Sequence, residues 1–303
     1  MDEKTFDERL KAAQEHAETV VRSFLPKEEG YQKTGLSAMN YSVLAGGKRL
    51  RPVLLYVTAT MYGAKPALYE PFMAALEMIH TYSLVHDDLP ALDNDSYRRG
   101  RKSTWAVYGD DQAVVAGDAL LNFAYETALT AFSCAETKEE TDRVVKALQL
   151  LASNAGIYGM VGGQVADLES DKHQELVDEK LLTFIQEKKT ACLIDSGFVI
   201  GAILGGAPKE DIQALHQAAR NVGLAFQVQD DILDVTGDAA VLGKSIGKDA
   251  AEGKATYVSL HGLDAAKKEV QDLTDEAADL LSHLSVDGSF LAQLAASLVG
   301  REK

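Results

Sequence analysis

Met78-Ile79-His80-Thr81-Tyr82-Ser83-Leu84-Val85-His86-Asp87-Asp88-Leu89-Pro90-Ala91-Leu92-Asp93 is an apolar helical run that ends in carboxylates. Met78 to Val85 are mostly apolar and contain neither Gly nor Pro, so they read as a helix laid into a core. Pro90 lacks a backbone donor and distorts the helix just past the paired acids. The arrangement returns more than a hundred residues later, where Val222-Gly223-Leu224-Ala225-Phe226 leads into Asp230-Asp231-Ile232-Leu233-Asp234. Outward from these stretches Ala, Leu, Glu, Gln and Lys recur with helical spacing, while alternating β-branched segments are hard to find. The predicted fold class is all-α, a single large bundle of roughly ten or more helices around a central cavity that both acidic clusters line.

Turn formers near Pro26 to Gly35, Gly63 to Pro66, Asp95 to Lys102, Ser170 to His173, Gly205 to Pro208, Thr236 to Gly253 and Ser285 to Gly288 mark the breaks between helices. The 303 residues are 46% hydrophobic and contain no low-complexity linker, so residues 1–303 read as one domain. Thirty Lys and Arg against 46 Asp and Glu give a net charge of −16. That balance disfavours nucleic acid or an anionic membrane as partner, but not an anionic small molecule. The start, Met1-Asp2-Glu3-Lys4, lacks the basic region of a targeting peptide, and no run reaches the roughly 18 apolar residues of a membrane span. A soluble cytoplasmic protein without stable membrane insertion is expected. Cys134 and Cys192 form no metal-ligand spacing and read as buried free thiols.

Carboxylates this close repel one another, and a site that keeps them ionised holds a divalent cation. Asp230 and Asp234 fall on one helix face, about 6 Å apart along the axis, with Asp231 about 100° round and less suited as a direct ligand. The distortion at Pro90 lets Asp93 swing into line with Asp87 despite their uneven spacing. An all-oxygen donor set suits Mg²⁺ better than zinc. A single acidic cluster would read as a solvated helix end; two, each behind an apolar helix, argue for a site. Cations recur beside them: Gly46-Gly47-Lys48-Arg49-Leu50-Arg51-Pro52, Arg98-Arg99-Gly100-Arg101-Lys102, Lys188-Lys189-Thr190, and Lys244, Lys248 and Lys254. Each alone reads as solvated surface, but in so acidic a chain their recurrence points to phosphate. His80 reads either as a ligand on the stripe of Asp87 or as a hydrogen-bonded core histidine.

Together with Ala116-Gly117-Asp118-Ala119-Leu120-Leu121, Gly163-Gln164-Val165-Ala166-Asp167-Leu168 and Phe226-Gln227-Val228-Gln229, these stretches follow the order of the trans-prenyltransferase (polyprenyl synthetase) signature. The chain resembles that family over nearly its whole length. Its lengthened first aspartate motif is similar to that of bacterial short-chain members, particularly farnesyl diphosphate synthases. The resemblance implies an isoprenoid synthase-like homodimer that condenses isopentenyl diphosphate head-to-tail with dimethylallyl or geranyl diphosphate, by ionisation, condensation and elimination. It implies that Asp87 and Asp93 hold Mg²⁺ against the allylic diphosphate with Asp88 in support, and that Asp230 holds a third Mg²⁺ in a motif completed by Asp231 and Asp234. Lys189, Thr190, Gln227, Lys244, Lys254 and Arg98 would contact the allylic diphosphate, and Lys48, Arg51, His80 and Arg99 isopentenyl diphosphate. Gln164 and Lys189-Thr190 would offer dipoles near the carbocation.

In relatives the residue five before the first aspartate sets product length; here it is Tyr82, with Ser83 beside it. On an ideal helix Tyr82 lies about 7.5 Å below Asp87 and about 140° round, so geometry alone does not select it over Ser83. Arg101-Lys102-Ser103-Thr104-Trp105 departs from the Pro-Thr and following histidine that relatives carry, in a stretch expected to be a flap. Geranylgeranyl diphosphate synthase and terpene cyclase are the alternative enzymes. A cyclase would mix Asn, Ser and Glu in its second metal motif. His86-Asp87 would suit an HD-type phosphohydrolase, which leaves the second cluster unexplained, and a non-catalytic partner subunit would have lost one cluster.

Overall fold

A computed structural model describes residues 2–174, 177–237 and 255–300. Its helices are α1 (Glu3–Ser23), α2 (Lys33–Val43), α3 (Leu50–Met61), α4 (Pro66–Asp87), α5 (Thr104–Tyr108), α6 (Asp110–Leu129), α7 (Lys138–Ala155), α8 (Met160–Lys172), α9 (Glu179–Ile185), α10 (Cys192–Gly205), α11 (Lys209–Thr236), α12 (Tyr257–His261), α13 (Leu263–Ser282) and α14 (Ser289–Val299). A 3₁₀ turn, Thr130–Cys134, follows α6, and a π-helical segment, Gln186–Ala191, joins α9 to α10. Strands β1 (Tyr97–Arg98) and β2 (Arg101–Lys102) form a small antiparallel hairpin that the helical reading of the sequence did not contain.

Local chemistry explains the helix starts. Pro66 occupies the first turn of α4, where a missing N–H costs nothing. Asp178 accepts from Leu181 N at the start of α9, and Thr256 and Ser259 form a reciprocal capping box on α12. Breaks at Gly63–Pro66, Asp95–Lys102, Gly205–Pro208 and Ser285–Gly288 fall between helices as predicted. Two further breaks were not predicted: Ala135–Thr137, which has neither Gly nor Pro, and Gly156–Gly159, which two glycines bound. Part of Lys138–Lys172 is long and apolar enough, by length and composition, to cross a membrane, which inspection of apolar runs did not reveal. That stretch is α7 and α8, broken at Gly156–Gly159. Cys134 is exposed, against expectation, whereas Cys192 is partly buried and its thiol is pushed up to about 11 by burial.

The chain packs into two compact units that are interleaved in sequence. One comprises Asp7–Leu148 with Ile200–Gly206. Its centre is α4, where Phe72, Met73, Ala74, Ala75, Leu76, Met78 and Ile79 are all fully buried, as a helix apolar on every side must be. Ala113, Ala116, Leu120 and Ala124 give α6 a small-residue face against α4. A Cβ on Gly117 would lie 2.1 Å from His86 Nε2, so a side chain there would displace the imidazole from its place against α6. The other unit comprises Met1–Phe6, Gln149–Val199 and Ala207–Lys303. In it α11 packs along α13, with Val228, Ile232 and Ala266 buried beneath Tyr257, Val258, Leu263 and Val270.

Candidate active site

Asp87 closes α4 and Asp88 follows it, so the adjacent carboxylates belong to different stripes. Asp87 continues the stripe of His80 and Ser83; Asp88 continues that of Thr81, Leu84 and Val85. Asp88 is 3% exposed, and its Oδ1 accepts from Arg98 Nε at 2.8 Å and Nη2 at 2.5 Å. Burial holds the Asp88 carboxyl above its usual range, with Arg98 opposing the shift. Arg98 also reaches Asp95 at 3.4 Å. The guanidinium assigned by resemblance to the allylic diphosphate is thus bonded to Asp88. Past Asp88 the chain turns back: Leu92 N donates to Leu89 O at 2.9 Å, Asn94 N to Leu89 O at 3.0 Å, and Asp93 N to Asp87 O at 2.9 Å. Asn94 takes a left-handed φ of 53°. The turn at Pro90 therefore ties Asp93 to Asp87 through their backbones.

Gly46 and Gly47 have φ of 88° and 126°, a path that suits glycine. It turns Arg49 inward, at φ 48°, as the cap of α3. Arg49 donates from Nε to Glu18 Oε2 at 2.6 Å, from Nη1 to Glu77 Oε1 at 2.7 Å and from Nη2 to Val43 O at 2.7 Å. Of the three cations in this turn, Arg49 is internal and structural. Lys48 is exposed, and Arg51 keeps a buried Nε with no hydrogen-bond partner among the described residues. Burial lowers the Arg51 pKa to about 10, with Arg99 adding to the shift and Glu77 opposing it. Arg99 donates to Gly46 O and lies 3.4 Å from His80 Nε2. Burial, then Arg51, Arg99, Arg49 and Arg98, hold His80 well below the usual histidine range. A neutral imidazole therefore accepts from Arg99. The guanidiniums of Arg51 and Arg99, one with an unsatisfied buried N–H, concentrate positive charge beside the neutral His80 in a way that fits an anion.

Arg99 and Gly100, with φ of 53° and 76°, form the two-residue turn of the β1–β2 hairpin, where both positions need positive φ. The divergent residues after it anchor it. Trp105 Nε1 donates to Asp95 O at 2.9 Å, Tyr41 Oη donates to Lys102 O at 2.8 Å, and Arg101 stacks 3.6 Å above the Tyr41 ring.

In the other unit the π-helical segment carries Lys188, Lys189 and Thr190. A Cβ on Gly163 of α8 would meet Lys189 N at 2.2 Å, and one on Gly223 of α11 would meet Ala191 Cβ at 2.3 Å. The widened turn thus lies between two glycines, a geometry frequent at functional sites. Lys189 Nζ donates to Asp167 Oδ2 at 2.6 Å. Asp167 is buried and had been given no role; the available signal was its place one turn after Gln164 on α8. Asp230 and Asp234 share one face of α11, Asp234 buried and Asp230 half-buried. Asp231 points elsewhere, accepting from Tyr257 N at 2.8 Å to cap α12. A cavity of about 120 Å³ brings Lys189, Gln227 and Asp231 together with Asp167, Asp171 and Thr256. Gln164 and Thr190 are half-buried. Lys244, Lys248 and Lys254 lie outside the described residues.

Among the described residues no three His, Cys, Asp or Glu side chains converge on one point. Mg²⁺ does not need them to, because it takes one or two carboxylates and completes its shell with phosphate oxygens and water. In one unit the oxygen donors of Asp87 and Asp93 fit that mode of binding, with Asp93 fixed to Asp87 by a backbone hydrogen bond; in the other, the carboxylate of Asp230 is the same kind of donor.

Residues 32–283 match the model of the polyprenyl synthetase family. The chain is 40% identical to farnesyl diphosphate synthase of Escherichia coli, over 98% of this chain and 99% of that protein. It is 41% identical to geranylgeranyl diphosphate synthase of Cyanophora paradoxa, over 87% of this chain and 86% of that one. Among solved structures, an FPP/GFPP synthase from Zymomonas mobilis superposes with a TM-score of 0.86 at 31% identity, over 98% of this chain and 99% of that one.

Proposed function

Because this chain belongs to the polyprenyl synthetase family, we propose that it is a Mg²⁺-dependent farnesyl diphosphate synthase acting on dimethylallyl and geranyl diphosphate. The observation that carries the choice of product is Tyr82. Its ring is 5% exposed in the core of α4, set edge-on to His86 with centroids 5.8 Å apart. Burial drives its hydroxyl up to about 12, as expected for an apolar wall. A bulky ring five residues before Asp87 supports a short chain-length limit, with Ser83 beside it. The 41% identity to a geranylgeranyl diphosphate synthase favours the second reading, a product one isoprene unit longer.

Mg²⁺ held by Asp87, Asp93 and Asp230 would neutralise charge building on the departing diphosphate. Lys189, Thr190 and Gln227 orient the allylic diphosphate, and Lys48, Arg51, Arg99 and neutral His80 hold that of isopentenyl diphosphate. The allylic C–O bond breaks with its electron pair leaving on the diphosphate, and Gln164 turns its amide dipole toward the resulting cation. The isopentenyl double bond forms the new C–C bond, and the released diphosphate takes the proton lost. Asp88 serves through Arg98, and Asp231 and Asp234 complete the α11 motif. A cytoplasmic homodimer completes the reading.

Purified protein is incubated with Mg²⁺, isopentenyl diphosphate and dimethylallyl or geranyl diphosphate, and the extracted products are sized. The C15 linear diphosphate is expected, and Tyr82→Ala lengthens the products. A C20 product from the unaltered protein selects the second reading, and cyclic hydrocarbons would replace both by a cyclase.

A further inference from the structure

We propose that Thr81 and Ser103 share one internal water beneath the hairpin, and that this water makes both of them positioning residues for Arg98. Both residues are 2% exposed, and neither hydroxyl oxygen has a hydrogen-bond partner among the described residues. Ser103 stands at the cap position of α5, yet its hydroxyl does not bond the helix it precedes. Both residues line a cavity of about 20 Å³ that Ser42, Asp88, Arg98 and Thr104 also wall. A water needs roughly 10–15 Å³ of such space and two to four polar partners, so one water fits.

The neighbouring hydrogen bonds show which groups are left for it. Ser42 Oγ donates to Ala38 O at 2.7 Å and so accepts from Thr104 Oγ1 at 2.7 Å, which uses both protons. Arg98 places both its short bonds on Asp88 Oδ1, and Oδ2 accepts none among the described residues. Thr81, Ser103 and the second oxygen of Asp88 remain as partners. Thr81 lies on the stripe of α4 that ends in Asp88, and Ser103 directly follows β2. The water therefore links the helix that carries the carboxylate to the hairpin that carries Arg98 and Arg99. The effect on catalysis rests on the diphosphate-binding reading above; the water itself does not.

A high-resolution crystal structure of the unaltered protein tests the site directly: density between Thr81 Oγ1 and Ser103 Oγ is expected, and a dry cavity overturns the proposal. In steady-state kinetics Thr81→Val and Ser103→Ala are each expected to raise KM for the diphosphate substrates several-fold while kcat at saturation holds. Thr81→Ser restores KM, and the double variant is no worse than either single one because the same water is lost once. Unchanged KM, additive losses or failure of Thr81→Ser to rescue would each overturn the positioning role. If the unaltered protein elongates nothing, the enzymatic reading fails, and the crystal density still decides the water.

Discussion

Replacing Arg49 by Met should destabilise the protein more than any surface change, because it strips a carboxylate buried inside the fold of the guanidinium that hydrogen-bonds it. Glu77 is 2% exposed and accepts from Arg49 at 2.7 Å, while Val43 O loses its donor as well. Breaking a buried pair on one side costs about 3–5 kcal/mol, whereas exchanging both partners for apolar residues of similar volume is often close to neutral. Arg49→Met alone is therefore expected to lose about 3–5 kcal/mol, and Arg49→Met with Glu77→Leu to recover most of it. Glu18, 31% exposed and still bonded to Arg22 at 2.6 Å, can rehydrate and adds little to the penalty. Guanidinium unfolding of the two single variants and the double completes the cycle. A further signature is the acid limb: burial raises the Glu18 pKa, but Arg49 and Arg22 outweigh it and leave it lowered. Its contribution is present above the ordinary carboxylate range and fades as pH falls through the lowered value, so acid should erode the gap between unaltered protein and Arg49→Met. A loss under about 1 kcal/mol for Arg49→Met, or strict additivity in the double variant, would refute the buried network.

Gly163→Ala forces a Cβ to within 2.2 Å of the Lys189 backbone, so about 1–3 kcal/mol should be lost and KM for the allylic diphosphate should rise, as read by unfolding and kinetics together. Gly100→Ala, at φ 76°, should cost roughly 1 kcal/mol and re-aim Arg99, raising KM for isopentenyl diphosphate more than for the allylic substrate. The hydrogen bond to Asp195 at 2.6 Å raises the His216 pKa against burial. That stabilisation is complete below the unfolded histidine value and lost as pH rises through the folded one. His216→Gln should therefore lower the melting temperature at about pH 6 and converge with the unaltered protein in mildly alkaline buffer. With the imidazole 42% exposed, solvent screening keeps the difference small.

Most of the helical architecture was legible because each long helix carries its own periodicity and most breaks a Gly or Pro, as at Gly63–Pro66 and Gly205–Pro208. The hairpin was not, since strands of two residues are too short for alternation to register; only the Arg99-Gly100 pair, with positive φ at both positions, betrays it. The same limit hid the division of labour among neighbours. Lys48, Arg49 and Arg51 look interchangeable in sequence, and the left-handed backbone at Arg49 is what sends one guanidinium to Glu77 while Arg51 keeps a bare N–H. Asp87 and Asp88 likewise separate only when the end of α4 fixes their stripes. Asp167 was overlooked because its partner, Lys189, lies far along the chain and no local pattern announces a long-range ion pair.

The over-wide turn at Gln186–Ala191 behaves as a single extra tooth in an otherwise regular gear. Removing one residue from it would let α9 run into α10 at ordinary pitch with both helices near their present directions, while the residues of the segment itself would be redistributed around the axis. Lys189 would leave Asp167, although the apolar stripe of α10 would keep its bed. Lineages that carry this segment should accordingly tolerate side-chain exchange at its exposed positions far better than any change in its length.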